Sequence, residues 1–385
     1  MTVPLTLASA YLGQLALKAL LAVLYRRRTL GLEGTSLPAR ATILQAVLSG
    51  DPALSETLEA SVRNLEDSDF LWLVDEDDGT ALAVCEELRK RHPQRSLRLL
   101  RCPPPPQGVN PKAFKLAAAL PLVETQALVV LDDDTVLGRE GLGALLDGLA
   151  DGASLATGLP RYHSAGSRPG AWLAEFVNSN AVTVYLPSLL FAEPLSLQGM
   201  CYAMRTDEAR RLDAFARIQK SLTDDLALAR LLQRSGLRIH QTVTCHDTAT
   251  TVDSPGRLLG ILHRWYVFMR LLLAEQPPWT RLGVVLGYGV PPLLLWAALV
   301  GGVVGGLSHP PLLLVPALLL VLRAGLVAAV KRHFLGPLDR QSPLASLVLE
   351  LALPLFLLVA QARNTIRWRT RRIRVHSVDR FEYLP

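Results

Sequence analysis

Along the first third of the chain, short apolar runs alternate with stretches whose apolar positions recur at helical spacing. The runs A-T-I-L-Q-A-V-L (41–48), F-L-W-L-V (70–74), S-L-R-L-L (96–100) and A-L-V-V-L (127–131) have the length and bounds of buried strands. Residues 53–64, 80–91 and 112–120 carry the helical pattern. This alternation predicts an α/β domain with a mainly parallel sheet. C-P-P-P-P-Q-G (102–108) reads as a rigid connector, and no internal repeat is visible.

Longer apolar stretches flank this region. Residues 4–24 can span a bilayer and are followed at once by Arg26, Arg27 and Arg28. No basic residue precedes them, the reverse of a cleavable signal peptide. They predict an anchor, residues 1–28, whose C-terminal end faces the cytoplasm, with Lys18 snorkelling toward the interface. Apolar runs at 282–307, 311–330 and 343–360 predict three further segments. The expected organisation is therefore the anchor, a cytoplasmic domain with interface helices at 29–280, a membrane region at 281–362 and a basic tail at 363–385.

The loop S-H-P-P lacks Lys and Arg, whereas K-R-H-F-L-G-P-L-D-R carries positive charge and is expected in the cytoplasm. Simple counting then puts the tail R-W-R-T-R-R-I-R (367–374) outside, against the same rule. A last segment bent at Pro354 or re-entrant would return the tail to the cytoplasmic surface, to meet anionic headgroups. Arg323 and Glu350 flank the basic loop at similar distances, about 11 Å deep at 1.5 Å per residue. An unpaired charge there is costly, so an Arg323–Glu350 ion pair is expected.

Composition sharpens this. The 385 residues suffice for one or two domains, and half are hydrophobic. With a mean hydropathy of +0.27, the chain is too apolar for an ordinary soluble enzyme and reads as an integral membrane protein. Its leucine, alanine and arginine bias fits a GC-rich bacterium, hence the inner membrane. The net charge of +6 suits an anionic surface or a phosphorylated ligand. Nucleic acid is excluded as a partner, because aromatic residues are sparse and not interleaved with basic ones. Cys85, Cys102, Cys201 and Cys245 show no C-x-x-C spacing and read as reduced thiols. Cys245-His246 lacks a second ligand pair and reads as structural.

The candidate chemistry is acidic. V-D-E-D-D-G (74–79) and V-V-L-D-D-D (129–134) each end an apolar strand in carboxylates. S-L-T-D-D-L (221–226) opens a helical run with Asp224 and Asp225. Any one of these has a plain explanation: acidic turns end strands, and an acid at a helix start caps it. In a parallel α/β sheet, however, ligands bind at the carboxyl ends of strands, where the first two clusters fall. Mutually repelling carboxylates there suit a divalent cation.

The order of these motifs resembles glycosyltransferase family 2 and family 21 membrane enzymes, most closely ceramide glucosyltransferases. The resemblance runs through I-L-Q-A-V-L-S-G-D-P (43–52), V-D-E-D-D-G, V-N-P-K (109–112), L-D-D-D, T-G-L-P (157–160), G-M-C-Y-A-M-R (199–205), T-D-D (223–225) and H-R-W (263–265). It implies a GT-A-type, Rossmann-like catalytic domain and inverting transfer of a hexose or N-acetylhexosamine from a UDP-sugar to a membrane lipid hydroxyl. It implies Asp132 and Asp134 as ligands of Mg2+ or Mn2+, which suit hard oxygen ligands and would stabilise charge on the leaving nucleotide. Asp77 or Asp78 would lie near the nucleoside, with Asp132 and Lys112 near the phosphates. Lys112 can equally be a solvated lysine at a helix start. Asp225 matches the general base, beside Asp224. Arg264 would offset diphosphate charge and Trp265 would wall the acceptor side, although R-W-Y-V-F-M-R is also an ordinary interfacial helix.

Two positions depart from the pattern. Ile261 stands where the family has Gln or Arg, with His263 the nearest polar residue, and Thr370 stands at a usual Gly. The missing side chain argues against a processive polysaccharide synthase. The alternatives are a hopanoid or other glycolipid enzyme, a family 2 enzyme making a polysaccharide, and an inactive nucleotide-sugar-binding membrane scaffold.

Overall fold

The computed structural model describes residues 2–30, 40–339, 341–368 and 371–384, so Thr370 falls outside the described residues. The chain divides into two compact units. One comprises Thr29–Ala165, Glu193–Thr251 and Ile373–Pro385, and the other Met1–Arg28, Gly166–Ala192 and Val252–Arg372.

The first unit is built on an eight-stranded sheet. Its strands are β1 (Thr42–Val47), β2 (Asp69–Asp75), β3 (Leu97–Cys102), β4 (Ala127–Leu131), β5 (Thr135–Val136), β6 (Leu155–Tyr162), β7 (Cys201–Arg205) and β8 (Ile239–Thr248). They lie in the order β3-β2-β1-β4-β7-β6-β8-β5, and only β7 and β5 run against the rest. The expected α/β fold with a mainly parallel sheet is therefore present. The four strands and three helices expected between residues 41 and 131 all form, the helices at Leu54–Asn64, Gly79–Arg91 and Pro111–Ala119.

Alternation along the strands explains the layering. Ile43, Trp72, Val74, Val129 and Leu131 point to one face, where Leu58, Cys85 and Leu145 from three helices cover them. Leu44, Leu71, Leu73, Leu128 and Val130 point to the other, against Leu116, Phe215 and Leu232. Both faces are buried, which is why the strands read as continuous apolar runs. In these central strands the Trp72 indole donates to the Gln45 side-chain carbonyl at 2.9 Å, while the Gln45 amide nitrogen is buried without a partner. Chain order reverses at β1, with β2 and β3 to one side and β4 to the other, which opens a crevice beyond the strand ends. A hairpin of β10 (Arg371–Ser377) and β11 (Arg380–Leu384) completes the unit; β9 (Thr365–Trp368) precedes it in the other unit.

The second unit is helical. Four of its helical stretches are long and apolar enough to cross a membrane: Thr2–Thr29, Pro278–Ser308, Pro310–Leu335 and Pro343–Ala362. The second and third meet at a tight corner. A Cβ on Gly306 would lie 2.5 Å from the Leu313 side chain, and one on Gly302 would lie 2.7 Å from Pro316, so only glycine lets the two approach. The expected ion pair is present, with Arg323 Nη2 2.7 Å from Glu350 Oε2. Tyr11 adds a hydrogen bond to Glu350 at 2.9 Å and Ser346 accepts one from Arg323 at 3.0 Å. Arg26 donates to the His333 carbonyl at 2.8 Å, which brings the Arg26–Arg28 end of the first helix to the basic end of Pro310–Leu335.

Pro343–Ala362 is one helix through Pro354. The tail hairpin that follows it belongs to the same unit as Glu193–Thr251, which precedes the apolar helices.

Candidate active site

The acidic clusters converge on the strand ends beside the β1 reversal. Asp133 accepts a hydrogen bond from the Leu48 backbone N–H at 2.8 Å, and Asp78 accepts one from the Ser49 N–H at 2.8 Å. Asp78 also caps helix Gly79–Arg91 by accepting from the Ala81 N–H at 3.0 Å. Burial alone would raise its pKa, but these N–H groups hold it below the usual carboxylate range. Asp78 and Asp133 thus tie the turn after β1 to β2 and β4. Asp77, beside them, is exposed.

Helix Pro111–Ala119 supplies the cations. Asn110 caps it, accepting from the Lys112 and Ala113 N–H groups, and its amide donates to the carbonyls of Ser221 and Leu222. That cap fixes V-N-P-K against the loop that leads into T-D-D. Lys112 and Lys115, three residues apart, share one helical face. Lys115 is buried and lies 2.8 Å from Asp75, the last residue of β2. Lys112 Nζ lies 2.7 Å from Asp132 Oδ1 and 3.3 Å from Asp224 Oδ2, and donates to the Gly199 carbonyl at 2.8 Å. Burial would lower the Lys112 pKa, but the Asp132 and Asp224 carboxylates outweigh it and hold it well above the usual value.

Asp224 and Asp225 open helix Asp224–Arg234, where Asp225 accepts from the Leu226 N–H at 2.7 Å. Burial and then the charge of Asp224 push the Asp225 pKa up to about 7. A Cβ on Gly199 would lie 2.9 Å from the Asp225 Cβ, so the strand entering β7 can pass this carboxylate only as glycine. The loop before T-D-D is braced by the tail hairpin: Ser221 Oγ donates to Asp379 at 2.8 Å and the Leu222 N–H donates to the Val378 carbonyl at 2.9 Å.

Asp134 is oriented separately, accepting from Thr250 at 2.8 Å and Thr135 at 3.2 Å. Among the described residues, no three His, Cys, Asp or Glu side chains group to hold a metal by themselves. Asp75 Oδ1, Thr223 Oγ1 and Asp224 Oδ2 are buried without a hydrogen-bond partner. Asp224 thus has an ionic contact to Lys112 without a hydrogen bond. Such atoms are costly unless a ligand satisfies them.

The structure therefore brings together Lys112, Asp132, Asp224 and Asp225, with Asp77, Asp78 and Asp134 on loops of the same unit. Arg264 and Trp265 belong to the helical unit, on helix Pro255–Ala274, where Trp265 stacks on Phe176 with ring centroids 6.1 Å apart. His263, near the departure at Ile261, lies 3.2 Å from the Thr365 carbonyl through Nε2. His246 is buried in β8 and burial lowers its pKa to about 3, in keeping with a structural role for Cys245-His246. Sequence reasoning assigned no role to Asp75, Lys115 or Gly199. The first two had a signal, the i,i+3 lysines of P-K-A-F-K opposite a strand-ending acid; Gly199 was quoted in a motif without a role.

A family model described as glycosyl transferase family 21 matches residues 9–380. Among solved structures, the chain is similar to the mannosyltransferase PcManGT from Pyrobaculum calidifontis, in complex with GDP-Man and Mn2+. Identity is 15%, TM-score 0.50, and the match covers 94% of this chain and 97% of that one. The fold expectation, a GT-A-type domain with added apolar helices, agrees with that likeness. A weaker similarity, TM-score 0.36 at 8% identity over 57% of this chain and 92% of the other, is to 4-diphosphocytidyl-2C-methyl-D-erythritol synthase from Anaerococcus prevotii. No curated protein sequence matches the chain. Because the family match runs through the sheet and all four apolar helices alike, the chain belongs to glycosyl transferase family 21, and its chemistry is glycosyl transfer.

Proposed function

We propose that this protein is an inverting, ceramide glucosyltransferase-like enzyme that moves a hexose or N-acetylhexosamine from a UDP-sugar to a lipid hydroxyl at the cytoplasmic face of a bacterial inner membrane. The observation that carries this is the Lys112 ammonium between Asp132 and Asp224, with Asp225 alongside at a raised pKa. A lipid hydroxyl is a weak nucleophile and needs a base with a pKa near the working pH. Asp225 takes the hydroxyl proton as the oxygen bonds to the anomeric carbon and the bond to the nucleoside diphosphate breaks. A single displacement inverts that carbon.

Lys112 offsets charge on the donor phosphates. Asp77, Asp78 and the partnerless Asp75 Oδ1 mark the nucleoside end. Asp132 and Asp134 fit a divalent cation: Mg2+ or Mn2+ sites commonly take one or two carboxylates and complete their shell with phosphate oxygens and water. When bound, the ion would neutralise charge on the leaving diphosphate. Mn2+ with GDP-Man in the PcManGT complex supports a sugar nucleotide with a metal, so GDP-mannose belongs in the donor panel. Arg264 would contribute positive charge toward the diphosphate, and Trp265 an acceptor-side wall.

The test uses membranes containing the full chain, supplied with labelled UDP-glucose, UDP-galactose, UDP-N-acetylglucosamine or GDP-mannose, Mg2+ or Mn2+, and a lipid extract. Label in the organic phase that requires both metal and Asp225, with Asp225→Asn as control, is the expected result. Label from GDP-mannose alone, label confined to a water-soluble polymer, or no transfer from any donor would refute it.

A further inference from the structure

Within the helical unit lies a cleft of about 70 Å3, lined in part by Gln14, Lys18, Glu175, Asn180, Tyr288 and Glu350. Its polar groups are nearly all matched. Glu350 is held by Arg323 and Tyr11. Glu175 is held by Lys331 at 2.5 Å, Ser179 at 3.2 Å and the Ser342 N–H at 3.2 Å. Gln14 donates to the Leu286 carbonyl and Asn180 to the Phe176 carbonyl, both at 2.8 Å. The Tyr288 and Tyr266 hydroxyls pair at 3.0 Å.

Lys18 is the exception. Among the described residues its ammonium makes no hydrogen bond or ion pair, and it feels Glu350 only across a distance. Here three cations, Lys18, Arg323 and Lys331, meet two carboxylates, each already engaged at close range by one of the other two cations. Lys18 stands eight residues before Arg26 on one continuous helix, about 12 Å along its axis, so its Cα lies within the apolar span. An excess positive charge at that depth is costly without a counter-ion. A water-soluble anion would have to abandon its hydration to reach it. A lipid's anionic head can come with its chains still in the bilayer, against helices whose surfaces are mostly unburied.

We propose that this cleft seats the phosphate of one anionic phospholipid, with Lys18 as counter-ion and the second Asn180 amide N–H and the Tyr288 hydroxyl as hydrogen-bond donors beside it. None of these residues belongs to the acidic cluster, and the lipid is a resident of the helical unit, not the sugar acceptor.

Native mass spectrometry of the detergent-solubilised full chain tests this with added dioleoyl-phosphatidylglycerol or dioleoyl-phosphatidylcholine. Wild type should retain one phosphatidylglycerol through activation that strips the rest. Lys18→Met should retain it about tenfold less well, and Lys18→Arg should keep it. Arg27→Gln with Arg28→Gln, which weakens general surface attraction, should leave the retained lipid in place. Lys18→Met places an apolar residue in an apolar helix, so it should fold, and a thermal melt without added lipid checks this. Equal retention by wild type and Lys18→Met, loss in Lys18→Arg, or phosphatidylcholine held as tightly as phosphatidylglycerol would overturn the proposal.

Discussion

The closest backbone approach in the acidic cluster can be tested with a single methyl group. Gly199→Ala would put a Cβ 2.9 Å from the Asp225 Cβ and 3.5 Å from its carboxyl carbon. Carbon atoms rest at about 3.5–4.0 Å, so roughly 0.6–1 Å must be found by moving one backbone or the other. Asp225 cannot swing clear, because the clash is with its Cβ and its carboxylate is tied to the Leu226 N–H. The Gly199 side is no freer, since its carbonyl accepts from Lys112 and the next residues enter β7. Overpacking of this kind costs about 1–3 kcal/mol of stability. Displacing a base by about 1 Å costs on the order of 100-fold in rate. Gly199→Ala should therefore lower kcat by about 10- to 100-fold and the melting temperature by a few degrees. Gly143→Ala is the control: it sits in helix Arg139–Ala150 with no atom within 4 Å, and should be neutral or slightly stabilising. The assay is transfer from the donor identified above, with kcat and KM separated. A Gly199→Ala enzyme with wild-type kcat and a lowered melting point would show that the position of Asp225 does not govern the rate.

Other expectations follow from the same geometry. Only ionised Asp225 accepts a proton, so kcat/KM should fall as pH drops through about 7, and Asp225→Asn should lose about 10²–10⁴-fold in activity. Between the ordinary aspartate value of about 4 and 7 the folded state holds a proton that the unfolded chain has released, so this group's contribution to stability declines as pH rises, which melts of wild type and Asp225→Asn would resolve. Arg323→Met leaves Glu350 without its cation and should cost about 3–5 kcal/mol, with much of it recovered in Arg323→Met/Glu350→Met; a melt in detergent that shows no loss would remove the pair's structural role. Asp379→Ala removes the acceptor of Ser221 and should reduce kcat more than donor binding, measured by transfer and nucleotide titration. Positions 67 and 377 belong to one compact unit, so single cysteines there should label from the same side of sealed vesicles; labelling from opposite sides would show that the tail hairpin does not pack with that unit.

How much of this was written in the chain depends on the range of the interaction. The strands from 41 to 131 were visible because both faces of the sheet are covered, so each strand is an unbroken apolar run. The Arg323–Glu350 pair was visible because a charge in an apolar span must find a partner and the helical rise gives its depth. The place of the tail hairpin was not, because charge counting cannot see that β10 and β11 join a sheet unit begun hundreds of residues earlier. Lys112 drew notice through its motif. That it meets Gly199, Asp132 and Asp224 did not show, since those contacts form only after separate chain segments fold. The role of Gly199 is a steric void, which leaves no mark in hydropathy or charge.

The brace on the loop before Asp224 also has a bearing on biogenesis. Residues 40–251 leave the ribosome with the strands, the lysines and all three acidic clusters, yet Ser221 and Leu222 still lack their partners at Asp379 and Val378. Those partners are translated only after the apolar helices at 278–362, long enough to cross a membrane, have been made. A nascent or prematurely terminated chain would thus carry a nearly complete sheet with a slack loop before Asp224. Coupling the last contact to completed insertion would keep half-made enzyme from acting on donor before it is seated in its membrane.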